Sequence, residues 1–424
     1  GATRPLTFRL EMLTRLELGL ARWEEELLAA LKADLNKDPY EGYMCELALT
    51  LGEVRMARKH LRAWARPARR STPLAHFPSK STVYREPYGV ALIMAPWNYP
   101  LFLTLAPLVS AIAAGCCAVV KPSAYAPASS RALAGLLGRL YPPEYITVIE
   151  GGRGENAALL EQRFDYIFFT GSVDVGKIVM TAAAQHLTPV TLELGGKNPL
   201  IVLKDFDAAK AAELAAYGSF YNQGQTCIAT SRIIVEEPLY DAVCEQMLKQ
   251  AKNFKVGDPH EKDTLVGPLI DPSQCDFIGG QIRDALSKGA KVLCGGTHEG
   301  SFFQPTILAD VTPEMDIFYQ ESFGPVVSIF RAKDPAHALE LANDNEYGLS
   351  SSILTNDLNL AIQLSLKMQA GMVHVNDSTV VSTSGTAPSG GVKMSGFAKE
   401  SGKFSVDVYS ELKWVTLQYA DKKR

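Results

Sequence analysis

The sequence predicts a mixed α/β protein of two large domains, each built on a mostly parallel sheet with helices on both faces. Three observations carry this. The chain has 424 residues, more than one hydrophobic core usually serves. Short apolar runs bounded by Gly, Pro or Ser alternate with stretches of helical period, the mark of βαβ units. The alternation also starts twice. One series runs through "GVALIMAP", "CAVVKPS", "ITVIEGG", "YIFFTGS" and "VTLELGG"; a second begins near Asn198 with "PLIVL", "RIIVEE", "KVLCGG", "PVVSIFRA", "SSILT" and "GMVHVND".

Ahead of the first series, apolar residues recur at helical spacing from Phe8 to Leu35 and again from Glu46 to Trp64, which predicts two amphipathic helices. The Pro-, Ser- and Arg-rich stretch from Ala65 to Ser81 reads as a loop or edge segment. "LFLTLAPLVSAIAAGCCAVV", from Leu101, is long enough to consider as a membrane span, but Pro107 and Gly115 break it and "KPS" follows. It reads as a buried helix followed by a buried strand. The last run, "SELKWVTLQ" from Ser410 to Gln418, alternates like a half-exposed strand and comes too late to begin another βαβ unit.

Composition narrows the function classes. With 47% hydrophobic and 21% charged residues the chain is an ordinary globular protein. A net charge of −4 offers no basic face overall, so no nucleic-acid partner is expected. The seven Cys, at 45, 116, 117, 227, 244, 275 and 294, are odd in number and form no C-x-x-C pair. That speaks against a disulfide framework or a zinc knuckle and for a reducing compartment. No metal site is expected. The opening residues carry no secretory n-region and h-region, so a cytoplasmic location is expected.

Several segments carry chemistry, each beside a plainer reading. In "FFTGSVDVGKIV" an apolar strand ends at Gly171-Ser172 and a helix opens near Asp174 with Gly176 in its first turn. Backbone N–H groups there can face an anion, although the spacing is not G-x-G-x-x-G and a plain strand-to-helix turn is the simpler account. "APWNYP" ends another strand. Its amide, Asn98, held in a proline-bounded turn, can donate to a developing oxyanion, or the turn can simply be anchored by Trp97. "LELGGK" places Glu193 at the end of an apolar strand, where desolvation would make it a base near neutral pH; capping a helix or pairing with Lys197 is equally open. Cys227, flanked by Gly224 and small polar residues, is approachable, whereas Cys116 and Cys117 lie in an apolar run. A buried, inert thiol is the alternative. "YQESFGPVV" offers Glu321 for ribose hydroxyls and Phe323 for a nicotinamide ring, or else a solvated loop.

"PWNYP", "KPS", "FTGS", "LELGGK", "GQTC" and "ESFGPVV", in this order from about Thr7 to Gln418, resemble the NAD(P)-dependent aldehyde dehydrogenase family. Up to about Pro199 the wording is similar to the class 3 branch; after about Asn222 it resembles the benzaldehyde and vanillin dehydrogenases. The resemblance implies a Rossmann-like cofactor domain over residues 1–70 and 88–195 and an α/β catalytic domain over 196–400. A small β oligomerisation element, over 71–87 and 401–424, would cross to a neighbour in a homodimer or homotetramer. It implies Cys227 as nucleophile, Glu193 as general base and Asn98 as oxyanion donor. Trp97, Lys121, Ser123, Gly171, Ser172, Gly176, Leu194, Gly195, Glu321 and Phe323 are implied for NAD or NADP. The implied chemistry turns an aldehyde into a carboxylic acid through a thiohemiacetal and a thioester on Cys227.

Three departures from the family wording bear on specificity: Ser389 where a Phe is usual, Ala124 where many members have Glu, and Cys116 in place of Asn. Ser389 suggests a wider pocket and Ala124 tolerance of NADP, unless Glu150 takes over the discrimination, while the likeness to the class 3, benzaldehyde and vanillin branches implies aromatic or medium- and long-chain aldehydes. Glu400 matches a position linked to proton relay. Two other classes stand beside this one: a cysteine hydrolase, for which no His sits in a recognisable partner motif, and a catalytically silent nucleotide-binding or structural member of the fold.

Overall fold

The computed structural model describes residues 1–380 and 386–418. Residues 381–385 of the expected catalytic domain and 419–424 of the expected oligomerisation element lie outside the described residues.

The apolar stripe read between Phe8 and Leu35 folds as two helices, Leu6–Arg22 and Glu24–Leu35, with the break at Trp23. Glu24, Glu25 and Glu26 fill the first turn of the second, where the helix dipole favours negative charge. That was the start signal within the continuous periodicity. The helix Ala48–Trp64 follows a π-helical turn at Tyr43–Leu47. Leu13, Leu16, Leu20, Leu27, Val54 and Leu61 bury the shared face of these helices in one core.

That core includes Phe102–Ala114, in which ten of the thirteen residues are buried. Pro107 does not break this helix: tertiary burial outweighs the hydrogen bond that proline removes. The end comes at Gly115, whose φ of 97° closes the helix in a left-handed turn. The predicted strand follows at Cys117–Lys121.

The first sheet has the strand order Gly396–Phe397, Val190–Glu193, Tyr166–Thr170, Val90–Met94, Cys117–Lys121, Ile146–Val148. The strands from Val190–Glu193 onward in that order are parallel, and the Gly396–Phe397 edge is antiparallel. Residues 396–397, expected in the second domain, thus complete the first sheet. The second sheet runs Lys291–Cys294, Thr306–Ala309, Val326–Ala332, Thr230–Glu236, Asn198–Val202, Ser352–Leu354, His374–Val375, antiparallel only at its first pair. Thr306–Ala309 was not among the expected strands. It is four residues long and wholly buried, too short for either period to register.

A third, antiparallel sheet joins Ala68–Arg70, Lys80–Pro87 and Ser410–Leu417. The last strand is exposed on both faces rather than half-exposed, with Leu412, Trp414 and Leu417 open to solvent. The helix Lys403–Val408 before it lies in the stretch assigned to oligomerisation, yet Val406 and Tyr409 bury themselves in the first core.

Gly115 and Gly138 give a contrasting pair of stability tests. A Cβ at Gly115 would sit 2.9 Å from Arg9 Nε in a left-handed backbone, so Gly115→Ala should lower stability by about 1–3 kcal/mol. Gly138 lies inside the helix Pro127–Leu140 with nothing within 4 Å of an added Cβ. Gly138→Ala should raise stability by roughly 0.5–1 kcal/mol, both read from urea unfolding midpoints.

Candidate active site

The parallel strands of the first sheet end in register, Met94 beside Lys121 and Phe169, and Thr170 beside Glu193. Ligands in open α/β folds bind beyond such carboxyl ends. The expected cofactor residues cluster there: Trp97 after one strand, Lys121 and Ser123 at the end of the next, Gly171 and Ser172 after the third, Leu194 and Gly195 after the fourth. Ser172 caps the helix Val173–Ala184, accepting from Val175 N at 3.4 Å. Gly176 packs that helix onto the strand end, where a Cβ would meet Leu194 Cδ2 at 2.8 Å. Leu194 itself is buried and donates its N–H to Ser395 O at 3.0 Å, so it shapes the cleft wall.

The loop before Val326–Ala332 reaches across from the second sheet. Phe323 meets Trp97 edge-on, with centroids 5.5 Å apart. Glu321 Oε1 accepts from Gly196 N at 2.8 Å, and a Cβ on Gly195 would collide with the Glu321 carboxylate. Burial pushes Glu321 up to about 7, against the pull of the Gly196 N–H and of Lys197. Lys121 Nζ donates to Pro122 O at 2.8 Å and Gly151 O at 2.7 Å, leaving one ammonium proton for a ligand. Burial lowers its pKa, opposed by the Glu155 and Glu150 carboxylates. A helix N-terminus, a partly engaged ammonium, a ring pair and a carboxylate seated where only glycine allows suit a dinucleotide.

Beside this cleft lies a cavity of about 250 Å³. Cys227 and Glu193 both line it, with Thr170, Glu400 and Glu53. Its walls include Phe102, Leu103, Ile228, Leu349 and Met372, with Tyr99, Tyr217 and Tyr221 and the expected Ser389. Among the described lining residues there is no Lys, Arg or His.

Cys227 follows a helix that ends at Phe220 and a tight turn in which Asn222, Gln223 and Gly224 all have positive φ. Such a run is costly for Asn and Gln and marks an over-determined segment. Asn198 Nδ2 donates to both Cys227 O and Ala229 O at 2.8 Å, and its Oδ1 accepts from Ser350 N at 2.9 Å. Asn98, 4% exposed, donates from Nδ2 to Gln225 O at 3.0 Å, two residues before the thiol. Asn98 is not among the described cavity-lining residues, and its amide is bonded to the loop that carries the thiol. Tyr99 Oη and Thr226 Oγ1, 3.1 Å apart, link the same two loops again.

The electrostatics is that of a desolvated site. Burial, then the Glu400 charge, raise Glu193 well above the usual carboxylate range, with Lys399 and the Gly391 N–H acting the other way. Glu193 Oε1 is buried without a hydrogen-bond partner, so the expected pairing with Lys197 is not the role of this atom. Burial pushes Glu400 up to about 7, helped by Glu53. Burial, then Glu321, Glu193 and Glu400, push the Cys227 thiol up to about 12. Asn198, Glu53, Tyr99 and Thr226 escaped the sequence reading. Three of them had a signal, Asn198 directly after "LELGGK", Tyr99 within "PWNYP" and Thr226 within "GQTC"; Glu53 had none.

A nucleotide-type cleft at the carboxyl edge of one sheet, facing a thiol-lined apolar cavity at the edge of another, defines a class of two-sheet cofactor proteins. Comparison with known proteins makes that class specific. The model of the Aldehyde dehydrogenase family matches residues 2–415, and the chain belongs to that family. An aminoaldehyde dehydrogenase of Arabidopsis thaliana is 41% identical over 82% of this chain and 70% of its own length. Human aldehyde dehydrogenase family 3 member B1 is 38% identical over 97% of this chain and 87% of its own. The structure of a Mycobacterium tuberculosis aldehyde dehydrogenase complexed with NAD+ superposes with a TM-score of 0.90 at 31% identity, covering 96% of this chain and 84% of that one. The fold is the aldehyde dehydrogenase fold, and the chain is an aldehyde dehydrogenase that works with a nicotinamide cofactor. Among the described residues no helix is long and apolar enough to cross a membrane.

The raised thiol pKa has a direct readout. Alkylation of Cys227 by iodoacetamide, followed by mass spectrometry of its peptide, should accelerate with pH into the alkaline range. Glu321→Gln removes the largest named negative charge acting on the thiol. Its profile should move to lower pH; an unmoved profile would leave burial with Glu193 and Glu400 as the causes.

Proposed function

We propose that Cys227 is the nucleophile, Glu193 the general base and Asn98 the oxyanion donor for oxidation of an aldehyde to its carboxylic acid. The observation that carries this reading is the convergence of Cys227 and Glu193 in one apolar cavity, with the Asn98 amide bonded to Gln225 O beside them. The Cys227 thiolate, its proton lost to solvent, adds to the aldehyde carbon and the carbonyl electron pair moves to oxygen. The Asn98 amide and the Cys227 N–H take up the charge on oxygen. When bound, the nicotinamide supplies the hydride acceptor, and Trp97, Lys121, Ser172, Glu321 and Phe323 would hold the dinucleotide. Glu193 then takes a proton from a water that attacks the Cys227 thioester and releases the acid. Its unpartnered Oε1 has an acceptor lone pair to give to that water.

The cavity lining supports aromatic and medium- or long-chain aliphatic aldehydes. Ser389 lines the cavity where a Phe would fill it. Glu53, Glu193 and Glu400 face a substrate tail with no cation among the described lining residues, so a carboxylate-bearing semialdehyde meets repulsion. The open face of Ser410–Leu417 supports a homodimer or homotetramer, since main-chain and apolar groups left open on an edge strand invite a second copy. A cytoplasmic location is part of the same reading.

Acylation and deacylation should separate in two variants. Cys227→Ala should lose all turnover. Glu193→Gln should give a stoichiometric burst of reduced cofactor followed by slow turnover, and a normal steady state in either would remove the assignment.

For the cofactor, Ala124 is exposed and carries no carboxylate to repel the extra phosphate of NADP, while Glu150 and Glu155 offset the charge of Lys121. NAD should be preferred with NADP within about tenfold, a gap of roughly 1.4 kcal/mol. Ala124→Glu should depress NADP use selectively. Rejection of NADP by several orders of magnitude in the unaltered enzyme would show that another carboxylate, such as Glu150, has taken over the discrimination.

A further inference from the structure

A fully partnered pair of buried charges lies beneath the Asn98 turn, and the chemistry above gives it no part. Lys37 and Glu46 are 3% and 0% exposed, and Lys37 Nζ donates to Glu46 Oε1 at 2.7 Å. The same ammonium donates to Asn98 O at 3.0 Å and lies 4.1 Å from the Tyr99 ring centre. Its three protons are thereby directed at a carboxylate, a carbonyl and an aromatic face. Glu46 Oε2 accepts from Leu101 N at 2.7 Å and Phe102 N at 3.3 Å, at the start of the Phe102–Ala114 helix.

We infer that the Lys37–Glu46 pair is the positioning element for the oxyanion donor: by gripping the turn at Asn98, Tyr99, Leu101 and Phe102 it fixes where the Asn98 amide stands relative to Cys227. The inference rests on the proposed role of Asn98. The pair holds the turn from below while Asn98 Nδ2 to Gln225 O and the Tyr99–Thr226 bond hold it from the Cys227 side. A turn clamped on both sides has one seat. Catalytic geometry needs that, because a displacement of about 1 Å at a reacting centre costs roughly a hundredfold in rate.

Local structure serves the same end. Asn36 adopts the left-handed conformation after Leu35, and Asp38 caps Pro39–Gly42 by accepting from Tyr40 N at 2.8 Å, so Lys37 is held between two fixed residues. Glu46 stands in the π-helical turn Tyr43–Leu47. In that turn Cys45 lines the cavity, its sulfur against Tyr221 Oη, while its neighbour Glu46 reaches the Asn98 turn. A purely structural role would make the charge dispensable, since buried ion pairs are often replaceable by neutral groups without loss of stability.

The test compares the burst of reduced cofactor in Lys37→Met, the charge-neutral pair Lys37→Met/Glu46→Gln, Asn98→Ala and Lys37→Met/Asn98→Ala. Lys37→Met should slow the burst by roughly tenfold to a hundredfold with the aldehyde KM little changed. The neutral pair should melt near the wild-type Tm, since the amide oxygen introduced by Glu46→Gln still accepts from Leu101 N, yet its burst should stay slow. Should Lys37→Met not fold, that pair carries the comparison. In the Asn98→Ala background Lys37→Met should slow the burst no further. A wild-type burst rate in the folded neutral pair, or a full additional loss on top of Asn98→Ala, would overturn the inference alone. A wild-type burst in Asn98→Ala would remove the oxyanion reading, and this inference with it.

Discussion

Desolvation of charge is the constraint around which the site is organised. Cys227, Glu193, Glu321 and Glu400 are all driven toward their neutral forms by burial as the first cause. Cys227, Glu193 and Glu400 also feel neighbouring carboxylates as like charges, and among the described lining residues of the cavity no cation answers them. Lys399 acts on Glu193 from outside that lining, its Nζ engaged by Gly390 O and Gly391 O. Such a site favours whatever brings positive charge or neutral polar groups to it. It also stores basicity. A carboxylate held above its ordinary range is a stronger base once ionised, and the orphaned Glu193 Oε1 is the atom where that basicity is available.

The fold supplies the desolvation through short strands that end together. Val190–Glu193 carries its carboxylate at the last position of a buried strand, and Gly396–Phe397 closes over the edge that would otherwise admit water. Ser395 Oγ then bonds Gly195 O at 2.7 Å and Gly348 N at 2.9 Å, tying the first sheet's end to the second sheet's loops. Asn198 does the same for the Cys227 loop from the start of the second sheet. Glu193 and Cys227 are therefore both tied to regular structure, with loops supplying only the last reach.

The sequence revealed what is local. The strands of the first sheet and the helix opening after Ser172 were legible because each sits at an apolar run, whereas Trp97, Lys121, Gly171 and Glu321 were grouped only by the resemblance to a family. What stayed hidden depends on partners distant in the chain. The break at Trp23 was masked by continuous apolar spacing, and Thr306–Ala309 was too short for its period to show. Gly396–Phe397 pairs with residues some 200 positions earlier and leaves no periodic trace. Lys37 falls between the two predicted amphipathic segments and Glu46 opens the second, and nothing in the sequence singles out either. Only their burial against Asn98 O and the Leu101 N–H distinguishes them.

The protein treats its buried charges in two opposite ways, and the difference sorts structure from chemistry. The Lys37–Glu46 pair has a partner for every proton and for both carboxylate oxygens, and Arg232, 2% exposed, is likewise spent on the carbonyls of Lys197, Leu341 and Ala342. Groups satisfied in this way hold geometry, because moving any one of them leaves a charge unpaired in a dry interior. Glu193 is left half-satisfied, and Glu400 is opposed by Glu53 rather than paired. That arrangement costs stability and leaves an acceptor open to a water or a ligand. The saturated pair under Asn98 and the unsaturated carboxyl lining the cavity with Cys227 thus differ in kind: the first can only hold its turn in place, while the second keeps an acceptor free for whatever enters.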